Sequence, residues 1–97
     1  MIKGTKRYIR RTAKFRKEYK HAIKQGKDMT KAIEVIIMLA NDELLPEKYC
    51  DHQLSGKLKD FRECHITPDW LLVYRKTDND GLLLTLTRMG SHSELGF

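Results

Sequence analysis

The chain has 97 residues, 40% of them hydrophobic and 33% charged, with a formal net charge of +6. One domain of this length buries roughly 60–70% of its unfolded surface, which excludes a deep walled pocket and puts function on a surface or in a shallow cleft. The composition excludes a disordered chain, and two cysteines are too few for a disulfide scaffold.

The first segment, KRYIR at residues 6–10, alternates basic with apolar or aromatic residues and reads as a short strand. Thr12 is placed to cap a helix, and Phe15, Tyr19, Ala22 and Ile23 then fall on one apolar stripe. Gly26 suits the helix stop, and His21 lies opposite the stripe as a solvated residue. This N-terminal part is strongly basic. Residues 1–31 carry twelve Lys/Arg against two acids, a net of +10, while residues 32–97 carry seven against eleven, a net of −4. A one-signed field of that strength attracts polyanions, nucleic acid above all, although a solvated helix face without a partner has the same signature.

Asp28 or Thr30 can cap a second helix, whose apolar face is Met29, Ile33, Ile36 and Ala40, broadened by Val35, Ile37 and Leu39. The short link predicts an antiparallel helix pair. The longest unbroken apolar run, VIIMLA, is far too short to span a bilayer, and no signal peptide is expected before the basic start. Residues 44–58 mix Pro, Gly and polar residues and read as a loop holding His52. Cys50 and Cys64 sit near histidines, but no C-x-x-C knuckle is present. Free reduced thiols in a cytoplasmic protein are expected, with no metal and no cofactor.

Three strands follow: DFRECHIT, WLLVYRKTD and GLLLTLTRMG, with turns around TPDW and DNDG. The fold class is therefore α+β, ordered β-α-α-β-β-β, an antiparallel sheet with two N-terminal helices packed on one face. One domain covers residues 1–97. The first strand pairs at an edge or beside the last strand.

An antiparallel meander alternates its ends. The end of the second strand, the start of the third and the end of the fourth share one edge of the sheet. His65, Asp69, Trp70, Arg88 and His92 are thus expected to gather there. Imidazoles exchange protons near neutral pH, and a guanidinium offers a planar fork to phosphate oxygens. RNA supplies its own nucleophile, the 2′-hydroxyl, so a base, an acid and a cation suffice for cleavage. An exposed Trp70 or Phe97 could stack on a base. Each residue also has a plainer reading. His65 fits a half-buried strand residue, Asp69 a turn residue, and Trp70, alternating with Leu72 and Tyr74, a core residue. Arg88 shares parity with Leu82, Leu84 and Leu86, which requires either a splayed strand end or a bulge.

The stretch DHQLSGKLKDFRECHITPDWLLVYR, followed by TRMGSHSEL, resembles the RelE/ParE superfamily of bacterial toxins, and within it the YafQ type. The likeness covers nearly the whole chain. It implies a toxin of a type II toxin–antitoxin system, a metal-independent and ribosome-dependent endoribonuclease that cuts mRNA in the A site. It also implies His52, His65, Asp69, Trp70, Arg88 and His92 as the site. Chemistry then suggests His92 as general acid, Arg88 as phosphorane stabiliser, and His65 helped by Asp69 as base, with His52 orienting phosphate or replacing that base. The tail departs from the family's leucine–aromatic ending, because Gly96 displaces Phe97 by one residue, so Trp70 is expected to stack first. The implied partners are a RelB/DinJ-like antitoxin in a hetero-oligomer, the ribosome and mRNA, with no membrane. Lys14, Lys17 and Lys20 are expected to grip ribosomal RNA or be covered by an acidic antitoxin segment. The same scaffold hosts another activity, ParE-like inhibition of DNA gyrase without nuclease action; a non-catalytic RNA-binding module is a third reading.

Overall fold

A computed structural model of the protein describes residues 4–96. Strand β1 (Tyr8–Arg11) runs straight into helix α1 (Ala13–Lys24), and helix α2 (Met29–Ala40) follows. Thr12 caps α1 by accepting the Phe15 N–H at 3.0 Å, and Asp28 caps α2 by accepting the Thr30 N–H at 3.1 Å. Gly26, at φ 77°, takes the left-handed backbone that ends α1 without the steric cost a side chain would add.

The sheet has five strands: β1, then β2 (His52–Gln53), β3 (Arg62–Thr67), β4 (Trp70–Thr77) and β5 (Leu83–Gly90), in spatial order β1-β5-β4-β3-β2. A one-turn helix, α3 (His92–Leu95), closes the described chain. Strands β3, β4 and β5 form the expected antiparallel meander. Two expectations are corrected. The sheet is mixed, because β1 runs parallel to β5, with Tyr8 beside Leu83 and Arg11 beside Leu86. Thr12 holds that direction at the point where strand becomes helix: its N–H donates to Leu86 O and its hydroxyl to Thr87 O, at 3.1 and 2.7 Å. His52 lies in a strand rather than a loop, since His52 and Gln53 pair with Glu63 and Arg62. Two residues are too few for alternation to betray a strand.

The main core lies between the helices and one face of the sheet. Phe15 and Ala22 of α1 and Ala32, Val35, Ile36, Leu39 and Ala40 of α2 pack on Cys64, Trp70, Leu72, Tyr74, Leu84 and Leu86. The apolar face of α2 is rotated from the expected one: Ala32 is fully buried, while Ile33 and Ile37 are half-buried. Ile23, expected on the α1 stripe, is mostly exposed. A smaller cluster of Leu71, Val73 and Leu95 lies apart from the main one, with Leu54 and Phe61 against it. By strand alternation Leu71 and Val73 belong to the face away from the helices. Among the described residues no helix is long and apolar enough to cross a membrane.

Arg7 ties the sheet's edge to α2. Its buried guanidinium donates to Asp42 at 2.7 Å, to Asp78 at 2.9 Å and to Leu83 O at 3.1 Å. Asp42 also accepts from Lys76 at 2.8 Å. These bonds, Arg7 first and then Lys76, hold the Asp42 carboxyl down at about 2, against 3.8 ordinarily. A depressed acid stabilises the fold above its unfolded value, and that stability disappears as pH falls toward the folded value. The stabilisation, reduced for the quarter exposure of the side chain, is about 1 kcal/mol. Wild type is therefore expected to lose about 1 kcal/mol between pH 4 and pH 2 that Asp42→Asn does not lose, as read by urea unfolding at each pH. Asparagine tolerates the left-handed backbone at this position, φ 56°. Equal losses in the two proteins would show that the clamp is energetically idle.

Candidate active site

Strand register sets the site. The antiparallel pairs place Arg88 opposite Val73, Val73 opposite Glu63, and Glu63 opposite His52. The neighbouring row on the same face is Gly90, Leu71 and His65. Paired residues point to the same side of a sheet, so both rows project away from the main core. Arg88 reaches that side because β5 carries a bulge: Tyr74 pairs with Leu86 but Val73 pairs with Arg88, leaving Thr87 as the extra residue. The inserted residue reverses the parity that would have sent Arg88 inward beside Leu84 and Leu86. Of the two alternatives open in the sequence, the bulge is the one observed.

Three imidazoles line up on this face. The His52 and His65 ring centroids are 6.3 Å apart, and those of His65 and His92 are 5.4 Å apart, edge to face. Between the first two lies Glu63, whose side chain is almost fully buried. Its Oε1 is 3.4 Å from His65 Nε2 and 3.8 Å from His52 Nε2. His52 Nδ1 lies 2.7 Å from Cys50 O; the carbonyl can only accept, so Nδ1 carries the hydrogen and Nε2 faces Glu63. The segment before His52 is anchored by Asp51, which accepts from Arg62 Nη2 at 3.1 Å and from the Tyr74 hydroxyl at 2.5 Å. Burial, and then this carboxylate, push the Tyr74 phenol well above its ordinary range.

His92 is placed by the short helix it begins. Ser91 caps α3 and accepts the Glu94 N–H at 3.1 Å, while Glu94 accepts the Ser91 N–H at 2.8 Å. Gly90 precedes this box, and a Cβ there would lie 3.1 Å from Glu94 Oε1 and 3.2 Å from Glu94 Cβ. Asp69, in the β3–β4 turn, accepts the His92 N–H at 3.0 Å and the ring Nδ1 at 2.7 Å. The backbone bond first, then the ring, hold the Asp69 carboxyl below the ordinary aspartate range. With Nδ1–H turned to Asp69, Nε2 is left to carry a transferable proton.

Arg88 is held from behind by α1. Its Nε and Nη2 donate to Glu18 at 3.0 and 2.8 Å, and Glu18 also accepts the Met89 N–H at 3.0 Å. The other edge of the site is an open groove of about 440 Å³ lined by Lys14, Leu58, Phe61, Val73, Thr87 and Arg88.

Not every expected residue joins this group. Asp69 pairs with His92 and not with His65; the carboxylate beside His65 is Glu63. Trp70 does not present a face for stacking, since it is 2% exposed and packs in the main core. Its position opens β4, where alternation with Leu72 and Tyr74 turns it toward the helices. Lys14 borders the Arg88 groove, whereas Lys17 and Lys20 line a separate depression on α1 with Arg16 and Tyr19. Phe97 lies outside the described residues. His21 is exposed as expected and lies 3.4 Å from Glu94. Cys50 and Cys64 are both free, and burial pushes the Cys64 thiol far above its usual range, so it stays an unreactive core group. Glu63 and Glu18 were missed from sequence. For Glu63 a signal existed: it stands two residues before His65 and so shares its strand face.

Comparison with known proteins agrees in family and in fold. The family described as "Bacterial toxin of type II toxin-antitoxin system, YafQ" matches residues 7–96. The mRNA interferase toxin YafQ of Escherichia coli (strain K12) is 40% identical over 90 residues, 92% of this chain and 95% of that one. The crystal structure of YafQ from E. coli strain BL21(DE3) superposes with a TM-score of 0.84 at 39% identity, over 92% of this chain and 97% of that chain. A crystal structure of the E. coli DinJ–YafQ complex aligns with a TM-score of 0.83 at 39% identity and the same coverage.

Proposed function

The chain belongs to the YafQ family of bacterial type II toxin–antitoxin toxins, and on that premise we propose that it is an endoribonuclease that cuts mRNA in the ribosomal A site without a metal. The observation that carries this reading is the row of three imidazoles beside two carboxylates, on the same sheet face as Arg88. The reaction is attack of a ribose 2′-oxygen on the adjacent phosphorus. The 2′-hydroxyl loses its proton to a base, the P–O5′ bond breaks, and an acid protonates the departing 5′-oxygen. The products are a 2′,3′-cyclic phosphate, or a 3′-phosphate after its hydrolysis, and a 5′-hydroxyl.

His92 suits the acid. Asp69 fixes its ring and leaves Nε2–H to be given up. His65 suits the base, with Glu63 orienting it in place of the Asp69 role expected from sequence. His52, more exposed and sharing Glu63, orients the phosphate or takes the base role when His65 is protonated. Arg88 supplies the cation for charge growing on the phosphorane oxygens. Every proton in the cycle has a side chain to hold it, so the chemistry needs no bound ion.

The direct test is mRNA in a translating extract. Cleavage with 5′-hydroxyl ends supports the reading. Intact mRNA together with altered DNA topology in the presence of gyrase would move the chain to the ParE-like alternative, and intact mRNA without any effect on gyrase to a binding module.

The basic N-terminal part has two uses in this reading. One is attachment to ribosomal RNA, and the other is capture by an acidic, DinJ-like antitoxin in a hetero-oligomer, as the DinJ–YafQ complex suggests by likeness. Both would operate in the cytoplasm, where ribosomes and mRNA are. The triple variant Lys14→Gln, Lys17→Gln, Lys20→Gln is expected to lower the slope of log affinity for ribosomes against log salt by about 2–3. Cosedimentation across a salt series measures it. An unchanged slope removes these three lysines from the contact.

A further inference from the structure

We propose that Glu18 is a positioning residue for phosphate recognition, holding Arg88 by one edge so that its opposite edge is presented to the scissile phosphate. The inference rests on the nuclease reading above and adds to it a residue on a different element, 70 positions away in sequence.

A guanidinium has five N–H donors, arranged as two bidentate edges. One edge, formed by Nε and Nη2, is occupied by the Glu18 carboxylate at 3.0 and 2.8 Å. Among the described residues nothing bonds Nη1, so the Nη1/Nη2 edge keeps its hydrogens for an anion. Arginine is rich in rotamers, and a side chain free in solvent would lose that freedom on meeting substrate. Glu18 has removed that freedom beforehand. The same carboxylate accepts the Met89 N–H at 3.0 Å, next to the bulge that turns Arg88 onto the site face. One acid on α1 therefore fixes both the backbone that aims Arg88 and the guanidinium itself.

The negative charge has a second consequence. It offsets part of the Arg88 cation in the resting protein, which weakens ground-state attraction for any RNA phosphate. The donors nevertheless stay aligned for the phosphorane, whose oxygens carry more charge. That is discrimination in favour of the transition state. A purely structural bond between α1 and β5 would offset the charge in the same way, but its loss in a folded protein would not slow the bound reaction.

The test is single-turnover cleavage of mRNA on programmed ribosomes, with enzyme varied to give a maximal rate and a half-saturating concentration. Glutamine at 18 has one oxygen for the two that the carboxylate uses: with that oxygen on the Met89 N–H, its NH2 group takes the place of Oε2, which accepts from both Nε and Nη2, and sets donor against donor. Glu18→Gln is expected to lower the maximal rate by about 10²-fold, the usual effect of a misplaced catalytic group, with the half-saturating concentration unchanged or lower. In the Arg88→Ala background the same change is expected to alter the rate less than about 2-fold, because the group through which it acts is gone. Losses that multiply in the double variant, or a raised half-saturating concentration with an unchanged maximal rate, would overturn the assignment. Circular dichroism checks the fold first. If Glu18→Gln does not fold, Glu18→Asp, which retracts the charge by one methylene, goes through the same cycle under the same criterion. A wild type that leaves the message intact removes the nuclease reading and this inference together, whereas wild-type cleavage with multiplying losses removes this inference alone.

Discussion

His92→Ala is expected to lower mRNA cleavage by about 10²–10⁴-fold, the usual contribution of one positioned proton donor. The expectation comes from three features that converge on one ring. The capping box fixes the first turn of α3, where the ring is carried. The Asp69 carboxylate accepts both the backbone N–H and Nδ1, so the ring cannot swing away without losing its partner. The ring is nevertheless about half exposed, open to an incoming leaving group. That exposure also predicts a small effect on stability, within about 0.5 kcal/mol, since surface changes away from buried networks rarely cost more. Cleavage assayed beside thermal unfolding separates the two outcomes. A variant that retains wild-type cleavage would take His92 out of the mechanism and pass the acid role to another imidazole of the row, His65 or His52.

Trp70→Ala carries the largest expected cost in stability, about 3–5 kcal/mol, the range for removing a buried aromatic side chain. The indole is sealed between the helices and the sheet, with Lys27 Nζ 5.6 Å from its ring centroid. Its Nε1–H has no acceptor among the described residues, so truncation also relieves one unpaired buried donor and moves the cost toward the lower end. Such a loss is a large part of the 5–15 kcal/mol that holds a typical domain together. Trp70→Leu keeps most of the buried volume and separates packing from stacking. Per folded molecule, its cleavage rate is expected within about 3-fold of wild type, whereas loss of a base-stacking platform would cost about 1–3 kcal/mol, or roughly 5- to 150-fold. A deficit in that upper range, with the fold intact, would restore Trp70 to the RNA interface.

The interval between Asp69 and Glu63 shows how a site can be foreseen in membership and misread in wiring. Both acids lie within a few residues of His65 in the chain. Asp69 lies in the turn that ends β3, and the turn carries it toward α3 and away from His65. Glu63 lies on the same strand face as His65 and meets it directly. Strand parity decides the contact: the residue two positions away shares the strand face of His65, whereas one in the turn does not.

What the sequence determined by itself was whatever depends on short-range chemistry. The caps at Thr12 and Asp28, the stops and turns at Gly26, TPDW and DNDG, and the period-2 runs of the meander are all readable within a few residues, and they dictate helices, hairpins and the gathering of His65 and His92 at one sheet end. Tertiary structure alone decided the rest. The parallel direction of β1 against β5, the strand at His52, the choice of a bulge over a splayed end at Arg88, and the grip of Glu18 on a residue 70 positions away each depend on which surfaces meet when the chain closes. Those contacts are chosen by the competition of the whole core for burial and of every buried polar group for a partner, and that competition has no local signature in the chain.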